Sequence, residues 1–384
     1  MQKLHSHHGL TTGFLQPELK KLYWSQGFST LGGGLVAIFI PVFLLKLHYS
    51  LAAVLSYMIF YGLFCPPALF LALGLVPKIG SNRSMGLANI LQAIFLALLI
   101  SLPKHHWPLF GLSALAALVN SMYWPPFHAN FAKARTPKNS GRQLSYVYTV
   151  ISVAGALAPA IGGILATIFN IQFVYAIAAG VFLLAALPML GGHHGFKPES
   201  FKLERLKQVN IKPDLSSFGG WGIIESTEEV VWPLMIFLIV SSYASIGILS
   251  SVVVATGIFT TLYVGKRLEA KGERHYMKRG SATMSLTNLG RIFAGGITGI
   301  FSMNLLSGIS YHLLSVSLFT RFYRHVGNGE TLEYLFAMES FYGLTLSVFY
   351  SVLLLFTIAF PAQSVLAVGL LLTIPASYFA TRMR

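Results

Sequence analysis

GGHHGFKPESFKLERLKQVNIKPDLSS, residues 191–217, is the longest polar stretch in an otherwise strongly apolar chain. Its reading decides the fold, because it cuts the sequence into two blocks of similar length and texture. On both sides, apolar runs of helix-spanning length alternate with short charged clusters, as expected of helices that cross a bilayer. Six spans fit before it, at roughly 25–46, 51–74, 84–103, 107–131, 144–169 and 172–190. Six more fit after it, at roughly 217–240, 243–265, 281–302, 304–323, 334–359 and 361–381.

Composition agrees. A hydrophobic fraction of 54%, a charged fraction of 10% and a mean hydropathy of +0.66 lie outside the range of soluble domains. The single cysteine, Cys65, sits in an apolar run, which excludes a disulfide framework and a cysteine metal cluster. No cofactor or metal site is expected. A net charge of +15 could signal a nucleic-acid partner, but its distribution argues otherwise. Of the 27 Lys and Arg residues, all but Lys46, Lys104 and Arg291 fall on one side of the predicted topology. By the positive-inside rule that side is cytoplasmic, it holds both termini, and nucleic acid is not a partner. The expected location is the plasma membrane, as in a bacterial inner membrane, with the chain crossing many times.

The first apolar run reads as the first span and not as a cleaved signal. His5, His7 and His8 read as a polar terminus, with metal binding the alternative. Asn82-Arg83-Ser84 matches a glycosylation sequon but falls on the cytoplasmic side, where no glycan is added. The expected organisation is an all-α membrane protein: a bundle over 1–190, a cytoplasmic linker over 191–216 and a second bundle over 217–384. A six-plus-six plan suits a duplicated carrier whose halves are related by an axis along the membrane normal.

A repeated loop supports the duplication. GLVPKIGSNR (74–83) follows the second span and GKRLEAKGER (265–274) follows the eighth. In the second copy Gly265, Glu269, Gly272 and Arg274 have the spacing G-x-x-x-E-x-x-G-x-R, which resembles the signature loop of the major facilitator superfamily. Glycines permit a tight interhelical turn, and an acid at a helix end can pair with a helix terminus or an arginine. The resemblance implies a cytoplasmic gate. The first copy departs: Pro77 stands where the acid belongs, and Gly74 is one residue too close to Gly80. Span 5 carries GALAPAIGG (155–163), in which Gly155, Pro159, Gly162 and Gly163 resemble the glycine- and proline-rich signature of the family's exporters. Ala158 replaces a glycine there. Such small residues also serve ordinary close helix packing. Span 4 lacks the basic residue usual in proton-coupled drug exporters, and span 1 lacks an acid.

Ionisable residues inside spans are costly and normally face a protein interior or a wet cavity. The first half has no Asp or Glu between 25 and 190, and its polar candidates are Gln26, Asn120, Tyr123, Trp124 and His128. The second half holds Glu225, Glu228, Glu229, Arg291, His312 and Glu339. At 100° per residue, Trp221, Glu225, Glu228, Glu229 and Trp232 share one face of span 7. Counted from Ser217 at 1.5 Å per residue, Glu225 lies about 12 Å and Glu229 about 18 Å into the bilayer. Arg291 and His312 are expected at similar depth, and Glu339 nearer the cytoplasmic surface as part of the gate. Three neighbouring carboxylates in a low-dielectric interior cannot all stay ionised, so one or more is expected to take up and release protons. The alternative is a buried ion pair of Glu228 or Glu229 with Arg291 that fixes helix packing. Tyr123, Trp124, Trp221, Trp232 and Tyr311 suit a cavity wall for an organic solute, or else an interfacial belt.

The resemblance implies alternating access in a single-chain, monomeric carrier of a small organic molecule. With acids the only charge surplus, proton-coupled export of an amphipathic compound is favoured. Uptake of a polar or anionic metabolite through Arg291 or His312 competes with it, as does a non-transporting receptor or scaffold. The chain has no P-loop, no Asp-based phosphorylation motif and no H-E-x-x-H, so an ATP-driven pump or a membrane enzyme is not expected.

Overall fold

The structure is a computed structural model that describes residues 17–134, 155–191, 201–209, 211–326 and 330–383. His5, His7 and His8, the start of the fifth expected span and most of the first part of the linker lie outside these residues. The described residues form α1 (Pro17–Val36), α2 (Phe39–Lys46), α3 (Leu51–Ile79), α4 (Ser81–His105), α5 (Leu109–Ala134), α6 (Ala158–Ile168) and α7 (Ile171–Leu190). After a 3-10 turn at Leu203–Gln208 come α8 (Lys212–Ser226), a π turn at Thr227–Val231 and α9 (Trp232–Val240). Then follow α10 (Tyr243–Lys271), α11 (Glu273–Ile292), α12 (Gly296–Val326), α13 (Thr331–Phe356) and α14 (Ala362–Ala380). Since α1–α2 and α8–α9 each form one interrupted rod, there are twelve rods among the described residues.

Seven of these helices are long and apolar enough to cross a membrane: Trp24–Lys46, Leu51–Ile79, Ser81–His105, Ile171–Leu190, Tyr243–Leu268, Thr331–Phe356 and Ala362–Ala380. The α8–α9 rod and α11 fall short because they carry the buried acids, an arginine and several Ser, Thr and Asn side chains turned toward neighbours. Polar residues start several rods. Ser50, Asn170 and Ser242 accept a hydrogen bond from the backbone N–H three residues on, which satisfies one of the helix's orphan donors.

The turns differ from the expected ones. Helix α3 runs through Gly74 and Pro77 to Ile79, and α10 runs through Gly265 to Lys271. Each two-helix connection is then a single glycine: Gly80 at φ 86°, ψ 154° and Gly272 at φ 76°, ψ 149°. That region is open essentially to glycine alone. The near-identical backbone at equivalent places is a structural repeat that the side-chain pattern only half displayed. The ninth span, expected over 281–302, is instead Glu273–Ile292. It ends early because the chain turns at 293–295 and re-enters a helix at Gly296, φ 64°. Arg291 therefore lies in the last turn of α11 and not at its middle.

The helices before residue 191 pack mainly on one another, with α7 against α1 and α4, and α5 against α3 and α4. Those after 211 do likewise, with α12 against α10 and α11, and α8 against α13 and α14. Two long seams join the sets: α3 with α13, and α6 with α10. Small residues make both seams possible. Gly62 sits against the Gly343 carbonyl and Ser347, Gly163 against the Tyr243 carbonyl, and Gly247 against the Pro159 carbonyl. The backbone N–H of Ala160 also donates to Ser251 Oγ at 3.0 Å across the second seam. Gly162 abuts the Leu35 carbonyl, so the glycines of 155–163 serve close helix approach.

Candidate functional site: a central acidic cavity

Between the two sets lies a cavity of ≈ 590 Å³. Its first wall, from α1, α4 and α5, is polar but uncharged apart from a histidine: Gln26, Ser29, Asn89, Gln92, Asn120 and His128. Side chains there hold one another. Tyr123 donates to Gln26 Oε1 at 2.7 Å, and Ser29 donates to Asn89 Oδ1 at 2.9 Å. Trp124 also faces the cavity, 37% exposed and stacked on His128 with ring centroids 5.7 Å apart.

The opposite wall carries the acids. Trp221, Glu225 and Glu229 line it at i, i+4 and i+8, with Tyr311 and His312 of α12 and Glu339 and Tyr342 of α13. Tyr342 donates to Glu225 Oε2 at 3.0 Å. Glu229 is exposed on the cavity side and has no hydrogen-bond or ion-pair partner among the described residues. His312 is hydrogen-bonded through Nδ1 to Thr261 Oγ1 at 3.0 Å, and its ring fills the space left by Gly257. No Lys or Arg is among the described lining residues.

The face expected to hold Trp221, Glu225, Glu228, Glu229 and Trp232 together is split. An i→i+5 turn over Thr227–Val231 underwinds the helix, so the residues beyond it fall off a 100° stripe. Glu228 and Trp232 are absent from the cavity lining and point toward α11 and α12. Arg291 donates twice to Glu228, at 2.5 and 2.8 Å, and once to Asn288 Oδ1 at 3.1 Å. Ser307 donates to Glu228 Oε2 at 2.9 Å. Trp232 lies under the guanidinium, 4.6 Å from ring centroid to Cζ, and donates Nε1–H to Asn304 at 2.7 Å. Arg291 is thus placed in a bidentate pair outside the cavity, with none of its side chain exposed.

Glu339, expected at the cytoplasmic gate, lies in the cavity instead. Helix α13 begins before the expected span, at Thr331, which carries Glu339 about 12 Å along the helix. It lies 3.6 Å from His128 Nε2, whose other ring nitrogen shares a hydrogen bond with the Tyr323 hydroxyl at 2.8 Å. These contacts tie the two sets of helices together beside the cavity. At the loop following α10, the side chain of Glu269 lies outside the described residues, and Arg274 is exposed. The acid that pairs there is Glu273, 2.5 Å from Arg324 and 3.9 Å from Arg321. The loop after α3 has neutral bonds in its place: Ser81 donates to Asn130 at 2.6 Å, and Asn130 donates to Asn82 at 2.9 Å.

Tyr342 and the pair Asn89 and Gln92 escaped the sequence reading. Their signals were present, as Gln92 follows Asn89 by three residues in an apolar helix and Tyr342 follows Glu339 by three, one face in each case.

The sequence model described as Major Facilitator Superfamily matches residues 22–382. Three solved structures superpose along nearly the whole chain. The human organic anion transporter MFSD10 (TETRAN) has TM-score 0.67 and 12% identity, covering 95% of this chain and 99% of its own. FucP, a Major Facilitator Superfamily transporter in its outward conformation, has TM-score 0.66 and 12% identity, with coverages of 96% and 99%. A variant of the nucleoside transporter NupG has TM-score 0.65 and 13% identity, with coverages of 95% and 98%. At these identities the likeness is one of fold. No curated protein sequence matches the chain.

Proposed function

Because the chain belongs to the Major Facilitator Superfamily, we propose that it is a proton-coupled secondary carrier whose cargo is a small organic cation or an uncharged amphipathic solute. The halves 1–190 and 217–384 rock about the linker 191–216 so that the cavity opens to each side of the plasma membrane in turn. The observation that carries the reading is the charge inventory of the cavity: Glu225, Glu229 and Glu339 against no Lys or Arg among its described lining residues. Carboxylates on membrane-spanning helices that face a cavity mark proton relays and cation pathways. A proton bound there and a cationic cargo compete for one charge, which couples their movements. The driving force is about 2.3 kcal/mol per charge per 100 mV.

The lining argues against an anionic cargo such as that named for MFSD10, since Arg291 is committed to Glu228. Export is the favoured direction, on the resemblance of the span 5 signature. A second reading, uptake of a neutral polar solute, draws on the amide and hydroxyl wall of Gln26, Asn89, Gln92 and Asn120. The test uses purified protein in liposomes containing a pH-sensitive dye, challenged with tetraphenylphosphonium and a panel of amines and neutral metabolites. Added cargo is expected to move protons in the native chain, with coupling lost in Glu229→Gln and in Glu225→Gln. Unchanged proton coupling in both variants would refute the reading.

A further inference from the structure

A second concavity lies away from the transport cavity, on the outer surface of the second helix set. Helices α10 and α11 each pack along α12 but touch one another little beyond their connecting turn at Gly272. They leave a groove of ≈ 410 Å³ between them, with Ile309 and Leu313 of α12 as its floor. Thr256, Phe259, Thr260 and Tyr263 of α10 form one side, at helical spacing on one face. Over the seven helical steps from Tyr263 to Thr256 the groove descends about 10 Å toward the bilayer interior. Phe259 is 74% exposed and Ile309 39%, so this surface meets lipid in a membrane.

The mouth differs from the floor. Tyr276 and Arg279 of α11 complete the groove at the end nearest the basic loop 265–274. Tyr276 is only 2% exposed, yet its hydroxyl has no hydrogen-bond partner among the described residues. His275 Nε2 beside it is buried and unpartnered too. An isolated buried hydroxyl costs stability unless something bonds to it. Arg267 is held at the mouth by donating to the Tyr263 hydroxyl at 3.4 Å and lying over its ring at 4.8 Å. Arg279 is exposed, as are Lys266, Lys271 and Lys278 on the same two helices. The acid at this loop with a described side chain, Glu273, is engaged with Arg324.

We propose that this groove binds one anionic phospholipid from the leaflet facing the basic loops. The phosphate sits between Arg267, Arg279 and the Tyr276 hydroxyl, and one acyl chain lies along Phe259, Ile309 and Leu313. Phosphate chemistry alone would also admit a free phosphate ion. The apolar length of the groove and its position on the lipid-facing surface select the lipid.

The test is native mass spectrometry of the full chain purified in mild detergent and incubated with dioleoyl-phosphatidylglycerol or dioleoyl-phosphatidylcholine. A parallel thermal-shift titration uses inorganic phosphate. One phosphatidylglycerol is expected to be retained in preference to phosphatidylcholine. Binding should fall about five-fold for each of Arg267→Ala and Arg279→Ala, the effect of removing one interfacial charge. Tyr276→Phe should weaken it by a similar factor while leaving the fold intact. Lys104→Ala, on the opposite face, serves as control and should change nothing. Equal retention of both lipids, or full retention in the double arginine variant, would overturn the proposal. Stabilisation by phosphate that matches the lipid and vanishes in the same variants would overturn the lipid assignment.

Discussion

Removing Arg291 tests whether the pair it forms is structural. The guanidinium makes two short bonds to Glu228 and one to Asn288, covers the Trp232 ring, and has none of its side chain exposed; the Glu228 side chain is 10% exposed. Replacing it by Met keeps most of the volume but strands the Glu228 carboxylate where water scarcely reaches. Breaking a buried ion pair from one side typically costs about 3–5 kcal/mol, mostly the penalty of the orphaned charge. Removing both charges with volume conserved is often nearly neutral. Arg291→Met is thus expected to lose about 4 kcal/mol, and the pair Arg291→Met with Glu228→Met to return within about 1–2 kcal/mol of the native chain. The Trp232–Asn304 bond at 2.7 Å survives both changes and keeps α9 registered on α12. Reversible denaturation in mixed SDS micelles measures each free energy, and the double-mutant cycle gives the coupling. Additive losses, or a single variant costing under about 1 kcal/mol, would refute the buried-pair account. A double variant with native stability but no proton coupling would show that the Glu228–Arg291 pair belongs to the transport machinery.

Two further changes probe positions where only glycine fits, for different reasons. A Cβ on Gly257 would occupy the place of the His312 ring, so Gly257→Ala should displace His312 from Thr261 and lower transport several-fold, with a modest loss of thermal stability; unaltered transport would remove His312's position from the mechanism. At Gly272 a Cβ meets nothing, but φ is 76°, so Gly272→Ala should cost about 1–2 kcal/mol through backbone strain alone. Native stability in that variant would mean that the α10–α11 turn relaxes into another conformation.

The membrane class, the helical fold, the repeated loop and the acids of span 7 were legible in the sequence because each rests on local chemistry. Hydropathy marks buried helices wherever they lie, and a carboxylate in an apolar run is conspicuous regardless of its partners. The family resemblance came from two short motifs, and the family match over residues 22–382 rests on the whole chain.

Side-chain partners were another matter. Glu225, Glu228 and Glu229 share one broad face of a regular helical wheel, but across one underwound turn Glu228 meets Arg291 while Glu225 and Glu229 stay in the cavity. Arg291 could be assigned its place only once the turn at 293–295 was seen to end α11. Glu339 reached His128 because α13 starts earlier than its hydropathy suggests. The groove beside Tyr276 is invisible to any one-dimensional reading, since it exists only where α10 and α11 diverge over α12. The sequence alone determined that the chain is a helical membrane protein and which carboxylates interrupt its apolar runs. Tertiary structure decided which acids share a cavity and which is neutralised, because charge pairing depends on distances of a few ångströms between helices far apart in the chain.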